Sequence, residues 1–593
     1  MRILLLSWKT WGVVSYAEQL GPEFDVLSIA TDFTTYDDLV RQYPPGWRPE
    51  SIVCWSIDYM PVPEGIEEAG CFTVGVIGDW NMAAQSLHCT GDAFDLLLTD
   101  RGGCDMLAKA GFKNFRQILF AGYLPTLFRR LPDVERDIDI LFVGNFNQGV
   151  QAHRARWLAR VAQLSGRYRV LLATNVFGEE LIALMNRARV VFNRSIRGEL
   201  NQRAYEAPAC GALMFLEREN LEVADVFTDR RDCVLYGEDD LEDLLAYYLE
   251  HEVERAEVAE AGYRVVQDHT AEDCLRRVMR IVRDAKAEIG LTERPLRSVA
   301  AVDLDVQRAW QWLRASTSSS VKAAAAALTR AEAAGPRPDV CNAAGCLLSL
   351  TAISRRADAP DLAIAASDRA ASYEQQALEL FPDYAAALYN LANIFYERGD
   401  LPGAEVHFRR ARSILSSGGL GVEHVFGPYY RTPVWTTFDM EMERAWNLHA
   451  FGSDGWIEAV RTALLWHTQL MLNDIALGAR RYSEAALDAQ GAIEVLPDSP
   501  IAHSRLAVAL LRQGDRPLSA EAFLRALELA PLVEWTWLEA LPLLRDIGHP
   551  RYEEQLRIGL NLARACPSLL HLRRWMAGQA PELWPGGDED PPA

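Results

Sequence analysis

The stretch Asn193–Gly211 lies between two short apolar runs, Val190–Phe192 and Ala212–Leu216, and each run has the length of a buried β-strand. Between them the chain carries Arg203 and Glu206 and then the small residues of a tight turn. A strand that ends in polar residues and leads into a helix is how an open α/β sheet builds a site for an anion or a sugar, because ligands bind at the carboxyl ends of parallel strands and helix N-termini attract phosphate. The segment therefore predicts a parallel α/β domain with a ligand site at one edge of its sheet.

The bulk composition describes a multidomain protein. A chain of 593 residues is too long for one hydrophobic core, so about two to four domains are expected. The net charge of −22 argues against a broad nucleic-acid surface, which needs an excess of lysine and arginine. No apolar run reaches the ~18 residues of a membrane span, and the first residues lack a signal-peptide cleavage site. The ten cysteines show no zinc-binding spacing. We therefore expect a cytoplasmic protein without structural disulfides or zinc.

Short apolar runs alternate with amphipathic segments up to about residue 285, a pattern typical of βαβ units and parallel sheets. We predict two doubly wound, Rossmann-like domains, residues 1–132 and 133–285, with a cleft between them as a common place for a substrate. The predicted strands are Ile3–Leu6, Asp25–Ile29, Ser51–Trp55, Phe72–Ile77 and Phe94–Leu98 in the first domain and Ile140–Val143, Arg169–Ala173, Val190–Phe192 and Leu213–Leu216 in the second.

The composition changes after the charged stretch Asp284–Arg297, and a helical Ala/Leu/Arg-rich sequence begins near residue 300. A period of 34 residues separates Pro497 from Pro531 and Ala492 from Ala526. This pattern resembles the tetratricopeptide repeat, a pair of helices whose small residues allow close approach. We therefore predict an α-solenoid of such helix pairs over residues 300–580.

Two further segments accompany the repeats. The insertion 416–454 is irregular and aromatic, and its rings either line a ligand groove or fill a gap in the solenoid. The tail 581–593 is rich in Pro, Gly and Asp and is expected to be disordered.

Three stretches of the second domain, Asp139–Asn145, Asn193–Gly211 and Cys233–Leu241, resemble the group 1 glycosyltransferases. His269 and Thr270, ahead of a last helix, add to the likeness, which is greatest for the branch typified by spore-maturation-type proteins. The resemblance implies the GT-B fold and a nucleotide-sugar donor, a UDP- or GDP-sugar, bound by the second domain without a separate cofactor. It also implies a hexosyl- or N-acetylhexosaminyltransferase.

The resemblance gives Glu206 and Arg203 specific roles. Glu206 falls on the glutamate that commonly hydrogen-bonds the donor ribose, a task that suits a carboxylate because it accepts from two vicinal hydroxyls. Its alternative roles are to cap a helix or to pair with Arg203. Arg203 falls where a fixed, planar cation neutralises the donor diphosphate. Its alternative role is a surface ion pair.

Five more residues complete the predicted donor site. Gly144 and Asn145 follow a strand and would let backbone N–H groups approach a phosphate or sugar, although a strand-end glycine also serves as a plain turn. Asn193 and Arg194 end another strand of the same sheet. Gly211 closes a tight turn that the resemblance places near the diphosphate.

The spacing of the glutamates leaves the stereochemical outcome open. Retaining members of the family often carry two glutamates eight positions apart, but Gly198 stands eight positions before Glu206 and the nearby acid is Glu199. GT-B enzymes usually stabilise the leaving diphosphate with basic residues and helix N-termini. The pair Asp137 and Asp139 is formally a DxD motif, but it leads into a strand as solvated linker. We therefore predict a metal-independent enzyme.

An inverting mechanism needs a base that deprotonates the acceptor hydroxyl. Asp79 is the first candidate because it follows a predicted strand, and Asp58 is the second. For either residue, capping a helix is the alternative role. His88 and His153 lie near predicted loops and are further candidates.

The repeats suggest how the acceptor is held. Tetratricopeptide arrays commonly bind peptides in a concave groove, so a protein acceptor, such as a flagellin or another surface protein, is the favoured hypothesis. Packing against the catalytic domains or forming a homo-oligomer is the alternative role of the repeats. A glycosyltransferase of envelope polysaccharide assembly and a non-catalytic adaptor with a vestigial nucleotide-sugar site are the alternative functions.

Overall fold

The computed structural model of the protein describes residues 1–7, 16–17, 20–30, 35–81, 87, 90–146, 148–295, 300–315, 318–418 and 454–579. His88, nearly all of the aromatic insertion and the whole acidic tail lie outside the described residues, so the expectations for them stay predictions. Within the described ranges, no helix combines the length and the apolarity needed to cross a bilayer.

The first sheet has six parallel strands in the order β2-β1-β3-β4-β5-β6. The strands are β1 Arg2–Ser7, β2 Asp25–Ala30, β3 Ser51–Trp55, β4 Phe72–Val76, β5 Leu96–Thr99 and β6 Phe115–Gln117. The helices α1 Tyr36–Val40 and α2 Arg101–Lys109 lie within this series. Strands β3, β4 and β5 are buried along their whole length, as expected for central strands of a parallel sheet covered on both faces.

The second sheet has five parallel strands in the order β11-β10-β9-β7-β8. Its strands are β7 Ile138–Val143, β8 Val170–Ala173, β9 Ala188–Phe192, β10 Leu213–Glu217 and β11 Val234–Tyr236. Its helices, together with the one that follows them, are α3 Gln148–Ala162, α4 Gly178–Arg187, α5 Arg203–Ala209, α6 Leu241–Glu250, α7 Glu252–Val266 and α8 Ala271–Ile289. The chain runs from β7 to β8 on one side and then to β9 on the other side of β7. The connection therefore reverses between β7 and β9, and such a switch point opens a crevice at the carboxyl ends of the two strands.

Antiparallel helices make up the rest of the described chain. They are α9 Ala301–Ala315, α10 Ser318–Ala333, α11 Pro338–Arg355, α12 Pro360–Leu380, α13 Ala385–Glu397, α14 Leu401–Ser416, α15 Asp454–Gly478, α16 Tyr482–Val495, α17 Pro500–Gln513, α18 Arg516–Leu529, α19 Glu534–Asp546, α20 Tyr552–Ala565 and α21 Leu570–Gln579. Pro497 and Pro531, which revealed the period, each stand two residues beyond a helix end, where a proline stops the helix. The predicted fold class, two doubly wound sheets followed by an α-solenoid of helix pairs, is confirmed.

The chain divides into two compact units, and neither is a continuous stretch. The first unit contains residues 1–120 and 271–475, and the second contains residues 121–270 and 476–593. In the first unit, Arg308 on α9 forms ion pairs with Glu64 and Glu67, which precede β4. In the second unit, α20 packs against α3. Each sheet therefore has its own share of the helices, so the compact units differ from the linear segments expected from composition.

Arg294 lies in the charged stretch 284–297, ahead of the helical region. This side chain is 2% exposed and donates hydrogen bonds to Asp95, which is fully buried, at 2.8 Å. The same guanidinium donates to the carbonyls of Ile66, Glu67 and Cys71. Arg294 is therefore a buried anchor in the first unit.

Removing the cation of this pair is expected to destabilise the first unit. Arg294→Met leaves the Asp95 carboxylate buried without its partner, and the loss is expected to be about 3–5 kcal/mol. Hydrogen exchange of the amides in β4 and β5 measures the change directly. Arg525→Met is the matched control, because Arg525 pairs with Asp498 at the exposed surface and such pairs contribute about 1 kcal/mol or less. Unchanged protection in Arg294→Met would contradict the assignment.

The stabilisation should also depend on pH. Burial alone would raise the pKa of Asp95, but hydrogen bonds from Arg294 and from the N–H groups of Thr73 and Thr292 lower it below its ordinary value. The contribution of the pair to the free energy of unfolding is therefore fully present at pH values above the ordinary pKa range of a carboxyl group. It is lost as the pH falls through the pKa that Asp95 has in the folded protein. We expect Arg294→Met to show a weaker acid dependence of protection than the wild type.

Candidate active site

Arg203 lies across the switch point of the second sheet. Its Nε donates to the carbonyl of Val143 at the end of β7, at 2.8 Å, and its guanidinium also donates to the side-chain oxygen of Asn193 at the end of β9. The guanidinium carbon lies 4.5 Å from the ring centre of Phe142. Burial lowers the pKa of Arg203 to about 9, so the group is still a cation at neutral pH. Arg203 is thus a fixed charge at the crevice where such folds bind ligands, and not a surface ion pair.

Gly144 is required by the position of Arg203. A Cβ atom at Gly144 would stand 2.6 Å from a terminal nitrogen of Arg203 and 2.9 Å from the Phe142 ring. Asn145 follows as an exposed residue of the loop after β7. The glycine therefore allows the arginine to lie directly on the backbone of this loop, which is a more specific requirement than a turn.

Carboxylates of the β10 region hold the loop between β9 and α5. Glu217, the last residue of β10, accepts hydrogen bonds from the N–H and hydroxyl of Ser195 and from the amide of Asn220. Glu222 accepts from the N–H of Leu200 at 3.0 Å. Glu217 was not among the predicted site residues, although it ends an apolar run as a polar residue and so carries the same signal as Asn193.

Residue 198, where retaining members of the family would carry a second glutamate, has a backbone conformation that favours glycine. Gly198 has a φ of 83°, and a Cβ atom there would stand 2.9 Å from Leu221. Glu199, the acid one position later, is 8% exposed and accepts from the N–H of Arg197 at 2.8 Å. Glu199 therefore stabilises the loop in which it lies. Residue 198 has no room for the glutamate side chain that the spacing of retaining members requires.

Glu206 lies one helical turn after Arg203 on α5. Burial raises the pKa of Glu206 to about 7, and the nearby charge of Arg203 opposes the rise. Among the described residues, its carboxylate has no hydrogen-bond or ion-pair partner within bonding distance. The side chain neither caps the helix nor forms a direct ion pair with Arg203, and it is only partly exposed. It is therefore available to accept hydrogen bonds from a ligand.

Arg154 and Arg194 lie on the other side of the same loop. Arg154 is 6% exposed, donates from Nε to the carbonyl of Arg194 at 2.8 Å, and has its pKa lowered to about 10 by burial. The Arg194 side chain lies over the ring of Trp157, at 4.8 Å from its centre, and pairs with Glu219. The structure thus places Arg194 beside α3 and does not bring it to Glu206. Arg154 was missed because a buried arginine inside a helix has no distinct pattern in the sequence.

Gly211 lies at the opposite end of α5 from Arg203. It has a φ of 80°, and a Cβ atom there would stand 2.8 Å from Arg136, whose guanidinium donates to the carbonyls of Ala188 and Cys210. Ala188 begins β9, so this turn lies at the amino edge of the sheet. The structure therefore does not bring Gly211 to the carboxyl edge. Burial raises the pKa of the Cys210 thiol to about 12, which fits a packing role.

Asp58 and Asp79 lie together in the first unit, after β3 and β4. Asp58 is 2% exposed and accepts from the N–H of Asp79 at 2.7 Å, while its second oxygen is buried without a partner. Burial, and then the neighbouring charge of Asp79, raise the pKa of Asp58 to about 6. Asp79 is half-buried and accepts from the hydroxyl of Tyr59 at 2.5 Å. The structure thus pairs the two candidate bases, with Asp79 as the more accessible of the two.

The remaining candidates lie elsewhere. The DxD residues are not solvated linker, since Asp137 pairs with Arg169 and Arg187 and Asp139 pairs with Arg189. His153 is exposed on α3, one helical turn before Trp157. No group of three or more His, Cys, Asp or Glu side chains in the described part of the chain is arranged to hold a metal ion.

Comparison with known proteins finds family matches for the second α/β domain and for parts of the helical region. Residues 123–280 match a family described as glycosyl transferase-like, and residues 365–418 and 470–533 match the tetratricopeptide repeat. No curated protein sequence matches the chain significantly.

Solved structures give weak similarities that carry no argument about substrates. Sucrose-phosphate synthase from Thermosynechococcus elongatus is 12% identical, with a TM-score of 0.36 over 49% of this chain and 100% of its own. Anabaena Alr3699/HepE in complex with UDP and glucose is 11% identical, with a TM-score of 0.36 over 48% of this chain and 100% of its own. The assembly chaperone of RpL4, Acl4, is 15% identical, with a TM-score of 0.31 over 47% of this chain and 97% of its own. The spore-maturation branch stays a prediction. From the family matches and the two doubly wound sheets, the chain joins a group 1 glycosyltransferase-like part to tetratricopeptide repeats.

Proposed function

We propose that the protein is a glycosyltransferase that uses a nucleotide-sugar donor and that the donor binds at the carboxyl edge of the second sheet. The observation that carries the proposal is that a fixed cation, Arg203, lies one helical turn from the carboxylate of Glu206 at the switch point, and that this carboxylate has no hydrogen-bond or ion-pair partner among the described residues. A diphosphate needs a cation with several N–H donors, and a ribose needs an acceptor for two vicinal hydroxyls. Because Gly144 has no side chain, the Arg203 guanidinium can lie where it would bind the diphosphate.

Arg203 would act on the leaving group. Cleavage of the sugar–phosphate bond places negative charge on the nucleoside diphosphate, and a preoriented guanidinium in a partly buried site stabilises that charge without reorganisation. Arg203 is preoriented by Val143 and Asn193 at two strand ends. We therefore propose a metal-independent reaction of the hexosyl- or N-acetylhexosaminyltransferase class.

Asp79 is the proposed base for the acceptor hydroxyl, and Asp58 positions it. The N–H of Asp79 is held by the Asp58 carboxylate, and the hydroxyl of Tyr59 is bonded to its side chain. A carboxylate that is held in place and partly accessible meets the requirements of a general base. The proposed acceptor is a protein or peptide recruited by the repeats, which the repeat match and the antiparallel helix pairs support.

Donor binding is expected to raise the thermal stability of the wild type and to fail in Glu206→Ala. A ligand at a hundred times its Kd adds about 2.7 kcal/mol to the free energy of unfolding. Thermal-shift measurements with UDP-, GDP-, dTDP- and CMP-sugars test this. The matched control is Glu180→Ala, which removes an exposed glutamate of α4 and should keep the shift. If no nucleotide sugar shifts the wild type and no donor hydrolysis is detected, the adaptor alternative replaces the enzyme.

Donor affinity is expected to fall as the pH drops below about 7. The carboxylate accepts from both ribose hydroxyls only when it is ionised, and burial raises the pKa of Glu206 to about 7. The Kd for the donor should therefore rise as Glu206 is protonated, and Glu206→Gln should bind weakly with little pH dependence between pH 6 and pH 8. Calorimetric titration at several pH values measures this. An equal pH dependence in both proteins would contradict the role of Glu206.

Gly144→Ala is expected to weaken donor binding by displacing Arg203. The added Cβ would stand 2.6 Å from the guanidinium, so the arginine must move off the β7 loop. A loss of about tenfold in affinity corresponds to ~1.4 kcal/mol, within the range of one charge-assisted hydrogen bond. The control is Gly166→Ala in the same unit, where the nearest atom to the new Cβ is 3.9 Å away. Unchanged donor affinity in Gly144→Ala would argue against diphosphate binding by Arg203.

A further inference from the structure

A cavity of about 440 Å³ lies inside the second unit, where the α/β domain meets the last repeats. One wall consists of α3 and the loops after β9, β10 and β11, which supply Arg194, Glu219 and Glu238. The other wall consists of α18, α19 and α20 with the turn at Pro531. The volume is in the range of small-molecule sites. Residues of the two walls are separated by more than 280 positions in the sequence, so this cavity exists only because the repeats pack on the sheet domain.

The two walls are joined by a common core and by specific hydrogen bonds. Buried residues of α3, α6, α18, α19 and α20 form one hydrophobic cluster. Ser165 donates from its hydroxyl to the carbonyl of Asn561 at 3.0 Å, and the Asn561 amide donates to Gln163 at 3.2 Å. The cavity is therefore a fixed feature of the unit.

Arginines held by carboxylates surround the cavity. Arg160 binds Glu242 and Glu238, and its guanidinium lies 4.8 Å from the centre of the Trp157 ring. Arg551 binds Glu528 at 3.1 Å. A guanidinium has five N–H donors. Arg160 uses four of them in bonds to Glu242 and Glu238, and Arg551 uses two in bonds to Glu528 and Glu554, so oriented donors are left for a ligand, mainly on Arg551.

Two polar side chains of the lining have no partner among the described residues. Gln555 is 4% exposed, and its side-chain amide forms no hydrogen bond within the part of the chain that the structure describes. Arg156 is an exposed residue of the lining and forms no ion pair with another described residue. The Gln555 amide therefore offers donors and an acceptor, and Arg156 offers donors, to a ligand with hydroxyl groups.

We propose that this cavity binds a saccharide that carries a negative charge, such as a sugar acid or a sugar phosphate. Arg160, Arg194 and Arg551 of the lining are each paired with glutamates. Arg156 has no ion pair among the described residues, so an anionic group on the ligand would pair with this cation. Hydroxyl groups both donate and accept, which suits a lining of guanidiniums, carboxylates and the Gln555 amide. Leu527, Pro531 and Ile558 form an apolar wall for the C–H face of a sugar ring.

This site differs from the proposed donor site in its residues and in its walls. It uses none of Gly144, Arg203 and Glu206, and half of it is made by the repeats. The two sites share only the loop after β9, through the neighbouring residues Asn193 and Arg194. The site stands or falls independently of the donor site.

Calorimetric titration of the full chain with glucuronate, glucose 6-phosphate, glucose and inorganic phosphate tests the proposal. We expect glucuronate or glucose 6-phosphate to bind, and glucose and inorganic phosphate to bind at least about tenfold more weakly. Gln555→Leu and Arg156→Ala should each weaken binding of the charged sugar by about tenfold. Arg557→Ala, an exposed arginine on the same helix α20, and Glu206→Ala should bind as the wild type does.

Several results would overturn the proposal. Absence of binding by both charged sugars at millimolar concentration excludes the site, and equal binding of inorganic phosphate excludes a saccharide. Unchanged affinity in Arg156→Ala excludes this cavity as the place of binding, and this variant is at an exposed position where folding is not at risk. Loss of binding in Glu206→Ala would assign the signal to the donor site.

Discussion

The buried pair of Arg294 and Asp95 ties residues that follow the second sheet into the first domain. The chain leaves the first unit after residue 120, returns at residue 271 and needs a fixed point there before the helical region begins. Arg294 supplies it by hydrogen bonds to Asp95 and to several carbonyls at the ends of neighbouring segments. Taking these charges out of water is costly, and the arrangement is stable because nearly every donor of the guanidinium has an acceptor. The helices α9 and α10 then begin from an anchored position.

Anchoring the chain in this way explains why the repeats are not one separable module. The helices up to residue 475 belong to the same compact unit as the first sheet, and the later helices belong to that of the second. In the second unit, small residues such as Ala520 and Ala563 are fully buried in a core shared with β7, β9 and β10. The last repeats thus contribute a wall to the sheet domain and close a cavity against it. The face of these repeats that packs on the sheet domain is therefore not available to a peptide.

The candidate donor site shows how a buried cation is made tolerable. Arg203 is held by backbone and side-chain oxygens at two strand ends, by the Phe142 ring and by the general negative potential of Glu199, Glu206 and Glu217. Burial acts on Glu206 in the opposite sense and raises its pKa. A cation and a carboxylate, each poorly solvated and not bonded to one another, are left for a ligand that carries both an anion and hydroxyl groups.

The sequence by itself determined the two parallel sheets, the helical region, the strand ends followed by Gly144 and Asn193, and the segment after β9 that carries Arg203 and Glu206. Short apolar runs, the 34-residue period and polar residues after strands are local signals, which can be read directly from a sequence. The other features could not be predicted from the sequence, because they depend on contacts between segments that are distant in the chain. Only the tertiary structure buried Arg294 on Asp95, placed Gly211 at the opposite edge of its sheet, moved Arg194 onto Trp157 and closed a cavity with Gln555. Each of these is decided by packing and desolvation, which act on residues brought together from different parts of the chain.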